Sequence, residues 1–264
     1  MLKLFVSDLD GTLLGMNQYI NDDDITALQS LATDGVELAI ATGRMDLEIV
    51  EILKRFNHPA HRISQNGAFV YDQSDQHIHS KTFDSHLARK VMEGIAQQPM
   101  VKTVSTATGT YTEEHNKWVD LISSQMVHDI TVDADLITQF GQTINPSKIS
   151  LFGKAADVKN AYESVATQFE GELDSFISHE TCVDLMPKNI NKGNGLRALL
   201  VNAGFASEEI ACVGDSFNDI SMFELTPNSY AMSTAPEEVK VKANHVVDHV
   251  HEAIADLRKK EIIA

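Results

Sequence analysis

The chain has 264 residues, 43% hydrophobic and 22% charged, the profile of a globular protein with room for one large core or two ordinary domains. Its formal net charge is −17, from 21 basic and 38 acidic side chains; so acidic a surface repels nucleic-acid backbone and anionic lipid, and neither is expected as a partner. No apolar run approaches the roughly 18 residues of a membrane span, and the opening MLKLFVSDLDGTLL puts aspartates where a signal peptide needs small residues, so a cytoplasmic location is expected.

Leu2–Ser7 is an apolar run ending at Asp8, the pattern of a strand buried on both faces. A helix over 21–33 follows, with an acidic first turn (Asp22, Asp23, Asp24), apolar Ile25, Leu28, Leu31 and Ala32 at helical spacing, and Gly35 as its stop. Val36–Ala41 reads as a second buried strand, 46–56 as a second helix, and 62–64 as a third strand before the turn at Asn66-Gly67. This β-α-β-α-β alternation predicts a doubly wound parallel sheet of Rossmann-like α/β type. From about Phe69 to Pro187 the rhythm changes to alternating strands with helices over 87–97, 117–127 and 156–169, an α+β segment large enough for a domain. After Lys192 the first rhythm resumes, with helices over 196–203, 219–225 and 236–243, strands over 210–214, 229–232 and 245–248, and a last helix to Lys259. The expected architecture is a core from 1–81 and 188–264, with 82–187 inserted as a second α+β domain. Cys182 and Cys212 lie in apolar stretches and read as buried, reduced thiols.

Four short segments carry the chemistry. Asp8 and Asp10, in Asp8-Leu9-Asp10-Gly11-Thr12, share a face of extended chain at the carboxyl end of the first strand, where open α/β sheets bind ligands. Two carboxylates so close call for a dication. Thr42-Gly43-Arg44 ends the second strand and opens a helix, where a hydroxyl and free N–H groups suit phosphate oxygens. Lys192 begins a helix, against the helix dipole, and is better explained by an anion than by helix stability. Gly214-Asp215-Ser216-Phe217-Asn218-Asp219 adds two carboxylates and an amide at a third strand end.

In this order, the DLDGT, TGR, Lys192 and GDSFND segments resemble the haloacid dehalogenase superfamily of phosphohydrolases. Asn66-Gly67-Ala68 and GDSFNDISMF narrow the resemblance to its Cof-type members, which carry a C2B-type α+β cap between the second and third motifs. The resemblance implies a magnesium-dependent phosphatase that hydrolyses small phosphorylated metabolites, sugar phosphates or phosphorylated cofactors, through a phospho-aspartate. Asp8 is then the nucleophile, and Asp10 the acid for the leaving alcohol and the base for water. Magnesium would be held by the Asp8 carboxylate, the Asp10 main-chain carbonyl and Asp215, with Asp219 in support. Leu9 and Gly43 main-chain N–H groups, Thr42, Lys192 and Asn218 would hold the phosphoryl group. Ser216 and Ser233-Thr234 depart from residues common in the subfamily and touch no implied ligand. The same motifs suit a phosphomutase or other phosphotransferase, and a silent phosphometabolite-binding protein is a further alternative, against which the presence of both Asp8 and Asp10 counts.

His77 and His79 share one strand face, but nothing supplies further zinc ligands, so a solvated polar face is the expectation. Trp118, Leu121, Ile122 and Val127 read as core of the inserted domain. Tyr111, Glu113 and His115 form a polar stretch that could read the leaving group.

Overall fold

The computed structural model describes residues 1–15, 18–56, 58–124 and 126–263, and it divides into two units, 1–80 with 191–264, and 81–190. In chain order the first unit begins with β1 (Leu4–Ser7), α1 (Asp22–Thr33), β2 (Glu37–Ala41), α2 (Asp46–Leu53), β3 (His61–Ser64), β4 (Phe69–Tyr71) and β5 (His77–Ser80). The second unit holds α3 (Ser85–Gly94), β6 (Val101–Ser105), β7 (Thr110–Thr112), α4 (Lys117–Ser123), β8 (Ile130–Val132), β9 (Lys148–Phe152), α5 (Ala155–Gln168), β10 (Leu173–His179) and β11 (Cys182–Pro187). The chain returns to the first unit with α6 (Lys192–Ala203), β12 (Ile210–Gly214), α7 (Ile220–Phe223), β13 (Ser229–Met232), α8 (Glu237–Lys240), β14 (His245–Val247) and α9 (Val250–Lys259).

The first unit's sheet runs β14-β13-β12-β1-β2-β3-β4-β5. The pairings from β14 through β3 are parallel. Alternation along each strand explains why helices cover both faces. Phe5, Leu38, Ile40, Ala211 and Val213 face one side, against α1 and α9 through Leu28, Leu31, Ile254 and Leu257. Leu4, Val6, Ala39, Ala41 and Cys212 face the other, against Leu196 and Leu199 of α6 and Met222 and Phe223 of α7. Each fully buried side chain of this size contributes about 1.5–3 kcal/mol relative to exposure. With both faces covered, the strand ends are where polar side chains can gather. The rhythm changes at Phe69, where β4 and β5 pair antiparallel beyond β3 and extend the first sheet.

The second unit is a mixed sheet ordered β10-β11-β9-β6-β7-β8, with α3 and α5 supplying Val91, Met92, Val158, Ala161 and Val165 to its core. The expected core role of Trp118, Leu121 and Val127 is corrected, because they are 47%, 50% and 56% exposed. The reason is rotational. The helix α4 is short and buries Val119 and Ile122, three residues apart, against Ile130; the face one residue away looks outward. The helix expected over 117–127 includes position 125, outside the described residues. His77 is exposed on β5 and its ring meets Tyr71. Both cysteines are buried and unpaired with each other, and burial pushes both thiols well above their ordinary range. Among the described residues, no helix is long and apolar enough to cross a membrane.

Candidate active site

Parallel pairing brings the ends of β1, β2 and β12 side by side, and the first unit's polar motifs lie there. Asp8 follows β1 directly, and its N–H donates to the Val213 carbonyl of β12 at 3.0 Å. That bond fixes the start of the loop. Gly11 then turns the chain at φ +83°, where a Cβ would overlap the Asp215 carboxylate. Only glycine allows both the left-handed backbone and this approach. Thr12, four residues after Asp8, reaches back with its hydroxyl 3.0 Å from Asp215 Oδ1 and 3.4 Å from Asp8 Oδ2.

Lys192, first residue of α6, is 1% exposed. Its ammonium donates to Asp8 Oδ1 at 2.6 Å and to Asp219 Oδ1 at 2.7 Å. Burial alone would discharge the lysine, but Asp219 and Asp8 outweigh it and hold it charged well above the usual lysine range. The other oxygen of Asp219 accepts from the Asp215 and Ser216 main-chain N–H groups at 3.0 and 2.9 Å. Asp219 is therefore a fixed anchor, bonded on both oxygens. Burial, with the charge of Asp219, pushes Asp8 well above the ordinary carboxylate range despite Lys192. Burial raises Asp215 as well.

Asp8, Asp215 and Asp219 each offer an oxygen within 4.8 Å of the others. Against these three acidic groups stands the one ammonium of Lys192, so among the described residues acidic groups are in excess in a largely buried place. A dication is the simplest compensation, and an all-oxygen donor set suits magnesium, calcium or manganese. The residues present therefore fit such an ion. The Asp10 carboxylate lies outside this cluster. It is paired with Arg44, whose Nε and Nη2 donate to its two oxygens at 2.9 and 2.6 Å, and that hydrogen bonding holds Arg44 firmly charged. Any contact of Asp10 with the ion would come from its main chain.

The structure thus brings Asp8, Asp215, Asp219 and Lys192 into direct contact or near contact, and sets Asp10 beside them with its side chain turned to Arg44. Thr42 is buried, and its hydroxyl accepts from the Arg44 N–H at 3.2 Å. Leu9 is buried, with its carbonyl accepting from Thr12 and Leu14. Gly43 packs beside Asn66, where a Cβ would make ordinary contact with the Asn66 amide. Asn218 spends its amide NH₂ on Asn66 Oδ1 at 3.1 Å, and its own carbonyl oxygen is buried without a partner. Sequence alone assigns no role to Thr12, Arg44 or Asn66, and all three belong to the site. Thr12 and Arg44 stand inside the DLDGT and TGR motifs, and the i to i+4 return of Thr12 was the available signal. Asn66 is 7% exposed with φ +56°, a left-handed position of the kind an Asn-Gly pair announces.

A sequence model of haloacid dehalogenase-like hydrolases matches residues 5–257. The chain is 26% identical to "Phosphatase YwpJ" of Bacillus subtilis, over 93% of this chain and 94% of that protein. It is 24% identical to the "5-amino-6-(5-phospho-D-ribitylamino)uracil phosphatase YwtE" of the same organism, over 93% and 92%. Among solved structures, TM0651 of Thermotoga maritima superposes with a TM-score of 0.88 at 26% identity, covering 97% of each chain.

Proposed function

The chain belongs to the haloacid dehalogenase-like hydrolases, and on that premise we propose that it is a magnesium-dependent phosphatase. Its substrates would be small phosphorylated metabolites, sugar phosphates or phosphorylated cofactors, hydrolysed through a phospho-aspartate on Asp8. The observation that carries this reading is the buried ammonium of Lys192 between Asp8 and Asp219. Lys192 holds the Asp8 carboxyl group in place while offering positive charge to an incoming anion. Phosphoryl transfer depends mostly on such positioning and neutralisation of the equatorial oxygens.

In the first step an Asp8 oxygen forms a bond to phosphorus as the ester P–O bond breaks, and the Asp10 carboxylic acid gives its proton to the leaving alkoxide. In the second, Asp10, now a carboxylate, takes a proton from water, which attacks phosphorus, frees Asp8 and releases inorganic phosphate. Arg44 holds both Asp10 oxygens as a carboxylate, so Asp10 must leave Arg44 and take up a proton before the first step. Asp8, Asp215 and the Asp10 carbonyl would hold the magnesium ion, with Asp219 in support, and a bound ion supplies charge neutralisation for the phosphoryl oxygens. Thr42, Lys192, Asn218 and the Leu9 and Gly43 N–H groups would hold those oxygens.

The names of the relatives support a phosphorylated substrate of metabolite size. YwtE is named for a phosphorylated ribitylaminouracil, while an HMP-PP phosphatase of Klebsiella pneumoniae lies at a similar 23% identity. Different substrates at nearly equal distance mean that resemblance does not select one. The net charge of −17 supports a small molecule over nucleic acid as partner, and the two unpaired cysteines support a reducing, cytoplasmic setting. The test is phosphate release from a generic aryl phosphate, expected with added magnesium and abolished by a chelator. Full turnover in excess chelator would reject the metal requirement.

A further inference from the structure

Away from the carboxylate cluster, Asp24, His249 and His251 each bring one metal-ligating atom within 4.8 Å of the other two. Asp24 lies in the acidic first turn of α1 yet is only 3% exposed. His249 directly precedes α9, and His251 is in its first turn. One Asp24 oxygen, Oδ1, accepts from the His251 main-chain N–H at 2.7 Å and lies 2.7 Å from His251 Nδ1. Asp24 Oδ1 and His251 Nδ1 are thus two donor atoms held side by side, and a cation taken by both would replace the proton between them. The His249 and His251 rings stack, with centroids 5.2 Å apart and planes 14° from parallel. A tie between α1 and α9 accounts for the Asp24–His251 contact; it does not account for the second imidazole laid against the first.

The surroundings favour a cation. Asp24 and His249 line a cavity of about 880 Å³ that also takes in Asp22, Asp23 and Asp248 and extends to Gly11, Thr12 and Asp215 of the active site. These carboxylates raise the local cation concentration and can complete a coordination shell. We propose that Asp24, His249 and His251 form a second cation site, sharing no ligand with the Asp8–Asp215–Asp219 cluster, that takes a divalent ion with affinity for imidazole, zinc fitting best. Zinc–nitrogen bonds of about 2.0–2.1 Å put tetrahedral ligand atoms about 3.4 Å apart. Asp24 Oδ1 and His251 Nδ1, at 2.7 Å, would open slightly, and the exposed His249 ring can rotate to meet them. Magnesium, which demands oxygen donors, does not compete for two imidazoles.

The test is calorimetric titration of the full chain with zinc chloride in excess magnesium. One equivalent is expected to bind, to persist in Asp215→Asn, and to weaken at least about tenfold in His249→Ala and in His251→Ala. Asp24→Asn, which removes an anionic ligand, should weaken it at least as much. Because His251→Ala also removes the tie to α1, His249→Ala decides if that variant is unstable. In the wild-type chain, the ring-proton resonances of both histidines should shift with zinc and not with magnesium. No zinc binding to the wild type, unchanged affinity in His249→Ala, or loss confined to Asp215→Asn overturns the proposal.

Discussion

Lys192 carries a full charge into a place where an uncompensated charge costs several kcal/mol, and it survives there because two carboxylates meet it. The converse holds for Asp8 and Asp219, which face each other across its ammonium. Lys192→Met should therefore abolish turnover and destabilise the chain by about 3–5 kcal/mol, the usual cost of breaking a buried pair from one side. The pH dependence follows from the direction of the Asp8 and Asp215 shifts, both upward. A carboxylate harder to ionise in the fold than in the unfolded chain costs stability once pH rises above its unfolded value, about 4. That cost disappears as pH falls and the group takes up a proton. The Lys192→Met deficit, followed by urea unfolding in chelator, should be largest at neutral pH and shrink toward acid pH. A deficit independent of pH would mean that poorer packing, and not charge, is its source.

Close approach of α6 to its neighbours delivers that lysine. At Gly193 a Cβ would run into the Ser221 main-chain carbonyl of α7, and at Gly195 into Ile63 and Gly67. The Gly193 N–H also donates to the Ser221 hydroxyl at 3.0 Å. Gly193→Ala should force α6 away from α7, cost about 1–3 kcal/mol as overpacking does, and lower activity further by moving Lys192. Wild-type activity and melting temperature in Gly193→Ala would show that this approach does not position the site. The helices and parallel strands of this unit were legible because both-face burial writes continuous apolar runs, such as Phe5-Val6 and Leu38–Ala41, each ending in a polar motif. The pairing of β4 and β5 was not, since alternation in Phe69–Tyr71 says which face is buried and nothing about which strand lies alongside. Trp118 and Leu121 misled for a related reason: in a helix as short as α4, the apolar pattern does not settle which of two adjoining faces turns inward.

At the scale of the molecule, the −17 charge and an anionic substrate are compatible only if positive charge is concentrated locally, and Lys192 and Arg44 both stand at the carboxyl strand ends of the first unit. The order of motifs was readable because each follows a strand. The exchange of partners among them was not: that Arg44 would clamp Asp10, and Thr12 bridge Asp8 to Asp215, depends on side-chain directions that spacing alone leaves open. The residues assigned to phosphoryl transfer all belong to the first unit, so we expect the second to govern substrate choice. Glu113→Ala and His115→Ala should change kcat/KM unequally across phosphorylated metabolites, by about 1–3 kcal/mol for each hydrogen bond to substrate that is removed, whereas Asp215→Asn should depress every substrate alike. Uniform scaling by the second-unit variants would contradict this division. The most direct test of the covalent mechanism asks where the phosphoryl group goes. Protein quenched in acid during turnover and mapped by mass spectrometry should carry an acid-stable, hydroxylamine-sensitive acyl phosphate on Asp8, absent from Asp8→Asn together with activity; an Asp8→Asn chain that still turns over, or a wild-type chain phosphorylated elsewhere, would contradict it.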